Sequence, residues 1–171
     1  MDEQEKQYRL AFYKALKDNQ IDTVKTYLAE RPELVNAELI LGPTLHIAVK
    51  YGYRDMVEML LAHGANPNQR GGILGGNALN MAASRGQAEM MTLLLSHGAN
   101  METDEPQFNP LFSAIIEGAT GAAKVVIDAG IDTSVRYTGE IMNQTDALSF
   151  AREWGRSEIV DLLESRNDQN P

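Results

Sequence analysis

The amino-acid sequence predicts an all-α solenoid, a stack of helix-turn-helix units, on three observations. A pattern of apolar residues and glycines returns five times along the 171 residues, and a fixed period of this kind is typical of repeat architectures. Within each copy the apolar residues recur at helical spacing, in two runs separated by a short turn. A glycine follows the second run in three copies, where a left-handed residue can end a helix.

One alanine marks each copy, and the spacings between these alanines are 33, 34, 32 and 37 residues. The markers are Ala15, Ala48, Ala82, Ala114 and Ala151. We therefore predict one domain over residues 1–171, with repeats at about 8–41, 42–75, 76–107, 108–144 and 145–167.

The second helix of each unit is expected to end at Gly64, Gly98 and Gly130 in the three central copies, and at Asn167 in the fifth. The first copy departs from this rule with Arg31-Pro32. Stretches rich in Gly, Asn and Asp link the units, and we interpret them as short β-hairpin fingers. They cover residues 36–43, 66–77, 100–109 and 132–145.

These motifs resemble those of ankyrin-repeat proteins. Residues 43–52 read Pro-Thr-Leu-His-Ile-Ala-Val-Lys-Tyr-Gly, the family's Thr-Pro-Leu-His-x-Ala-Ala-x-x-Gly with the first two residues exchanged. The family's Leu-Leu-x-x-Gly-Ala-Asn ending stands at 60–66 and 94–100. The resemblance implies stacked ankyrin repeats with hairpin fingers and a concave groove. The first and last repeats are expected to depart from the motif, because end repeats must present a polar face to water.

The balance of charge bears on the kind of partner. The formal net charge is −9, which argues against nucleic acid, because binding to phosphate backbones depends on clustered Lys and Arg. Residues 99–171 hold 5 Lys+Arg against 13 Asp+Glu, whereas residues 1–98 hold 10 against 11. The acidic field is therefore concentrated in the last two repeats, which favours a partner with a basic surface.

Composition also bears on compartment. The absence of cysteine removes disulfides and thiolate metal sites, and the polar, acidic N-terminus gives no sign of a secretory leader. No apolar run approaches the ~20 residues that span a bilayer. We expect a cytoplasmic protein without membrane contact, monomeric when free.

Candidates for chemistry are few, so we predict no enzyme, no cofactor and no metal. His46 occupies the motif position of a hydrogen bond between neighbouring repeats, and His63 and His97 lie one repeat apart, too far to share a metal ion. The glycines at 71–76 lack the Lys-Ser/Thr of a phosphate-binding loop. No serine stands in a strained nucleophile turn.

The resemblance implies that the residues just before the glycine ending each first helix line the groove. We call these ten the groove residues: Lys17, Asp18, Lys50, Tyr51, Ser84, Arg85, Ile116, Glu117, Glu153 and Trp154. Tyr51, Arg85 and Trp154 are of the types enriched at binding hot spots. For Trp154 the alternative is that it covers the open end of the core.

The fingers carry apolar residues where polar ones are expected in water. They are Leu39, Ile40, Leu41, Ile73, Leu74, Phe108, Val135, Tyr137, Ile141 and Met142. Together they predict a second, apolar binding strip, of which Ile73, Leu74, Phe108 and Tyr137 are the leading candidates. The alternative is that each finger packs on its neighbour.

These features predict a non-enzymatic protein-binding module. The resemblance to small free-standing ankyrin proteins of the immunity type implies the specific hypothesis, a small acidic inhibitor that covers the basic surface of a toxin or effector. The alternative is a cytoplasmic scaffold, adaptor or regulatory subunit that joins other proteins.

Overall fold

Ten α-helices, two to each repeat, form the main part of the described chain. The computed structural model describes residues 2–72, 75–139 and 142–167. The helices are α1 Glu3–Lys17, α2 Ile21–Glu30, α3 Thr44–Tyr51, α4 Arg54–Ala62, α5 Ala78–Ala83, α6 Ala88–Ser96, α7 Pro110–Glu117, α8 Thr120–Asp128, α9 Ala147–Glu153 and α10 Ser157–Asn167. The predicted all-α solenoid of stacked helix pairs is confirmed.

Left-handed residues end the helices where the sequence predicts them. In the middle repeat Gly86 follows the first helix with φ 64°, and its N–H donates to the carbonyl of Ala83. Gly98 follows the second helix with φ 82°, and its N–H donates to Leu95. Both conformations favour glycine because a side chain is strained there, and they satisfy the last carbonyls of each helix.

The end repeats depart from the central ones in different ways. Asn19 replaces the motif glycine of the first repeat and still adopts the left-handed conformation, with φ 54°. Arg31, which stands where the three central repeats have a left-handed glycine, has φ −140° and ψ 81°, and the chain continues into a 3-10 helix over Pro32–Asn36. At the other end α10 extends to Asn167, the residue expected to end it.

The core lies between the two layers of helices. The first helices pack side by side in the order α1, α3, α5, α7 and α9, while α8 packs between α6 and α10. Apolar residues at helical spacing fill the space between them. The largest fully buried side chains include Phe12, Leu34, Leu60, Leu79, Leu94 and Phe112.

The fingers differ from one another. The first is an antiparallel hairpin of β1, Glu38–Leu39, and β2, Gly42–Pro43. The last forms a single bridge between Tyr137 and Thr145. The two middle fingers form no strand in their described residues, so the expectation of a β-hairpin in every finger is too general.

Candidate protein-binding site

The groove residues form one row along the stack. Each pair lies at the C-terminal end of a first helix, and the first helices are neighbours, so the pairs follow one another from repeat to repeat. Among the described residues, three large hydrophobic side chains are exposed, and two of them are in this row. Ile116 is 42% exposed and Trp154 is 43% exposed.

Charge changes sign along the row. Lys17, Lys50 and Arg85 stand in the first three repeats, accompanied by one acid, Asp18. Glu117 and Glu153 stand in the last two. The row therefore has a basic N-terminal half and an acidic C-terminal half.

Arg85 is exposed on the middle repeat. The part of the chain that the structure describes gives its guanidinium no hydrogen bond and no ion pair, and Glu117 of the next repeat is not bound to it. Its five donors are thus available to a partner.

Aromatic side chains join the first two repeats. Tyr51 stacks on Tyr53, with ring centroids 5.6 Å apart, and the Tyr53 hydroxyl donates to the carbonyl of Lys17 at 2.9 Å. Burial and then the neighbouring Tyr51 hydroxyl raise the pKa of Tyr13 on α1. The ammonium of Lys50 lies 5.9 Å from the Tyr51 ring centroid, within reach of a cation–π attraction.

The indole of Trp154 packs against the core on one side and faces solvent on the other. Its ring lies against Phe150, with centroids 5.5 Å apart, and Phe150 stacks in turn on Phe112 at 4.6 Å. The indole therefore covers part of the last repeat's core and still presents a large apolar surface to solvent.

The prediction that Tyr137 belongs to an exposed finger strip is wrong. The side chain is buried, with its ring edge-on to Phe112 at 4.9 Å. Its hydroxyl donates to the carbonyl of Thr103 at 2.8 Å and accepts from the Asn109 amide at 3.0 Å. These contacts tie the last finger to the preceding repeat, as in the alternative that each finger packs on its neighbour.

Phe108 is half-buried, and one ring face is covered. The guanidinium of Arg70 lies 4.2 Å from the ring centroid and donates to Glu102 at 2.8 Å. Ile40 is 73% exposed on the first hairpin, whereas Ile73 and Leu74 lie outside the described residues. A continuous apolar strip on all fingers is therefore not present in the part of the chain described.

A cleft of about 500 Å³ lies between α1 and the first hairpin. Its apolar walls come from Leu10 and Tyr13 on one side and Leu39 and Ile40 on the other. The charged and polar lining residues are Glu3, Lys6, Gln7, Arg9 and Glu38. Leu10 and Tyr13 were not among the residues predicted from the sequence, although their spacing of three, with Lys17 four residues further on, places them on one helix face.

The histidines contact backbone carbonyls. His46 Nε2 lies 3.0 Å from the carbonyl of Gly76 in the next repeat, so this nitrogen carries the proton, and burial lowers the pKa of the ring. His63 and His97 contact carbonyls one turn back in their own helices. Among the described residues no three His, Asp or Glu side chains come together as a metal site.

Sequence reasoning also missed Asn80. It occupies the motif position of His46 in the following repeat, and its side-chain amide donates to the carbonyl of Phe108. The repeat period was a signal that could have found it, because equivalent positions lie 34 residues apart.

A family model described as "Ankyrin repeats (3 copies)" matches residues 45–137, more than half of the chain. The chain belongs to the ankyrin-repeat family, and the helix pairs on either side of the matched region extend the same stack. An ankyrin-repeat domain is generally a protein-binding module. A search of curated proteins found no match to this chain. No described helix has the length and apolar character needed to cross a membrane.

Proposed function

We propose that this protein is a non-enzymatic inhibitor of the immunity type, which acts in the cytoplasm by covering a basic surface on a protein such as a toxin or effector. The observation that carries the proposal is the acidic half of the groove. Two exposed apolar side chains, Ile116 and Trp154, lie there beside Glu117 and Glu153.

The two carboxylates are available to a partner. Neither has an ion-pair partner within the described ranges, whereas Asp128, Asp146 and Glu164 in the same two repeats are each paired to Lys or Arg. Exposed apolar side chains beside carboxylates without ion pairs are complementary to a partner surface on which an apolar residue is surrounded by Lys and Arg.

Electrostatic steering supports the same assignment. Residues 99–171 hold 13 Asp+Glu against 5 Lys+Arg, so the C-terminal part of the chain attracts a cationic surface before contact. Such attraction raises the association rate, which suits an inhibitor that must act before its target does.

The experiment is an activity assay of a candidate basic toxin with this protein in stoichiometric excess. We expect loss of toxin activity, and at least tenfold weaker inhibition by Trp154→Ala or Glu117→Lys. Asp161→Lys, on the exposed surface of α10, makes the same change of charge outside the groove and serves as the control. Full toxin activity at excess inhibitor would contradict the proposal.

The alternative, a scaffold, adaptor or regulatory subunit, is favoured by one observation. The cleft beside α1 and the Ile116–Trp154 patch lie at opposite ends of the stack, as two separate apolar surfaces. Affinity capture from native lysate distinguishes the two, since one dominant basic partner supports inhibition and several unrelated partners support a scaffold.

A further inference from the structure

One face of α1 carries a stripe that leads from the cleft into the groove. Leu10, Tyr13, Lys14 and Lys17 follow at i, i+3, i+4 and i+7, so they lie above one another on the helix. The N-terminal part of the stripe lines the cleft, while its C-terminal part carries two exposed ammonium groups.

Nearly all cations outside this region already have a partner. Nine of the fifteen Lys and Arg side chains form ion pairs with carboxylates: Lys6, Arg9, Lys25, Arg31, Arg54, Arg70, Lys124, Arg136 and Arg152. Arg156 and Arg166 donate to backbone carbonyls.

Four cations remain without an ion pair or hydrogen bond within the described residues, namely Lys14, Lys17, Lys50 and Arg85. All four lie in the first three repeats, on the first helix of the repeat or within two residues of its end. This distribution marks the N-terminal half of the groove as a surface prepared for anionic groups, with Asp18 as its one acid.

We propose that this half of the groove binds an acidic segment of a protein partner, with a large apolar residue of that segment placed in the cleft. The proposal rests on the groove being a protein-binding surface and adds the chemistry of what its N-terminal half accepts. The exposed side chain of Ile40 and the ring of Tyr13 would be covered by the apolar residue.

The distance between neighbouring first helices determines how far apart the acidic residues of the bound segment should stand. Packed helices lie ~10 Å apart, so Lys17, Lys50 and Arg85 on successive first helices are separated by steps of about that length. A segment in the polyproline II conformation advances ~3.1 Å per residue with three residues per turn, so three residues cover about one step and bring every third side chain to the same side. The segment that fits best carries Asp or Glu at every third position.

A peptide suits this surface better than a nucleic acid. Four cations on a chain of net charge −9 do not match a continuous row of phosphates, and Glu3 and Glu38 at the cleft would repel one. Carboxylates spaced along a peptide can meet the cations and avoid these acids.

The experiment measures fluorescence anisotropy of labelled ten-residue peptides with the intact protein in 50 mM NaCl. The probe reads Leu-Ser-Ser-Glu-Ser-Ser-Glu-Ser-Ser-Glu, and its matched forms replace Glu by Gln, place the three Glu together, or replace Leu by Ser. A ten-nucleotide oligothymidine tests the other class of anion.

We expect the probe to bind at least tenfold more tightly than its Gln form, and each of the other two changes to weaken binding. Lys17→Gln and Lys50→Gln should each weaken binding of the probe about two- to fivefold, which is the upper part of the range for one exposed ion pair. The matched controls Lys25→Gln and Lys124→Gln, on second helices, should stay within twofold.

Three results would overturn the proposal: equal binding of the Glu and Gln peptides, equal effects of Lys17→Gln and Lys25→Gln, or tighter binding of the oligothymidine. The inhibitor proposal fails separately, because it depends on Glu117 and Trp154. Trp154→Ala should leave probe binding unchanged even where it abolishes inhibition of a toxin.

Discussion

Asn68 holds the turn at Asn100 in the next repeat with both ends of its side-chain amide, one bound to the backbone of Asn100 and the other to that of Gly98. Its Oδ1 accepts from the Asn100 N–H at 2.7 Å, and its Nδ2 donates to the carbonyl of Gly98 at 2.9 Å. Asn36 makes the same two contacts one repeat earlier, with Asn66 and Gly64. This clamp fixes the turn after one second helix to the turn after the next.

Asn68→Ala should therefore lower the free energy of unfolding by roughly 1–2 kcal/mol, because two hydrogen bonds at a partly exposed site are lost. Asn100→Ala is the matched control, since the clamp uses the backbone of Asn100 and should keep its strength. Urea denaturation measures both. Equal losses in the two variants would mean that the clamp does not stabilise the stack.

Leu94→Ala should cost about 2–5 kcal/mol of stability, because Leu94 is fully buried in the middle repeat and the change leaves a cavity. Glu89→Ala, on the exposed side of the same helix, should change stability by less than about 0.5 kcal/mol. Chemical denaturation followed by circular dichroism gives both values. A loss below ~0.5 kcal/mol for Leu94→Ala would contradict the repeat register.

Stability should depend on pH through His46. Burial lowers the pKa of this ring below the ordinary 6.5, so the unfolded chain takes up a proton first as the pH falls below 6.5. The contribution of neutral His46 is thus complete above pH 6.5 and is lost on acidification. His46→Asn, copying Asn80 of the next repeat, should reduce the loss of stability between pH 7 and pH 5.

The measurement is urea denaturation of the wild type and His46→Asn at pH 7, 6 and 5. Carboxylates titrate in both proteins, so the difference between the two curves isolates the histidine. If the free energies of unfolding of the two proteins change with pH in parallel, His46 has the same protonation in the folded and unfolded states, and the prediction is wrong.

Arg85→Ala should weaken binding of a groove partner by ~2 kcal/mol or more while leaving stability within ~0.5 kcal/mol. The reason is that Arg85 is exposed and forms no ion pair in the described parts of the chain, so its removal costs the fold little. Titration calorimetry against the isolated partner, with Arg54→Ala on α4 as the control, tests this. Unchanged affinity would exclude Arg85 from the interface.

The helices and their ends could be predicted because their causes are local. Gly98 ends a helix since a left-handed turn needs only that residue, and the apolar spacing around Leu94 places it in the core. The repeat period then assigned Ile116 and Trp154 to the groove row of neighbouring repeats, and both side chains are exposed.

Only the tertiary structure decided what depends on residues far apart in the chain. Tyr137 is buried because its hydroxyl reaches the carbonyl of Thr103, 34 residues earlier, and composition cannot show that contact. The cleft needs α1 and the first hairpin side by side. Lys17 and Lys50 are left unpaired because no described carboxylate comes within reach, which is a matter of distances in space, whereas a sequence gives only the number of charges.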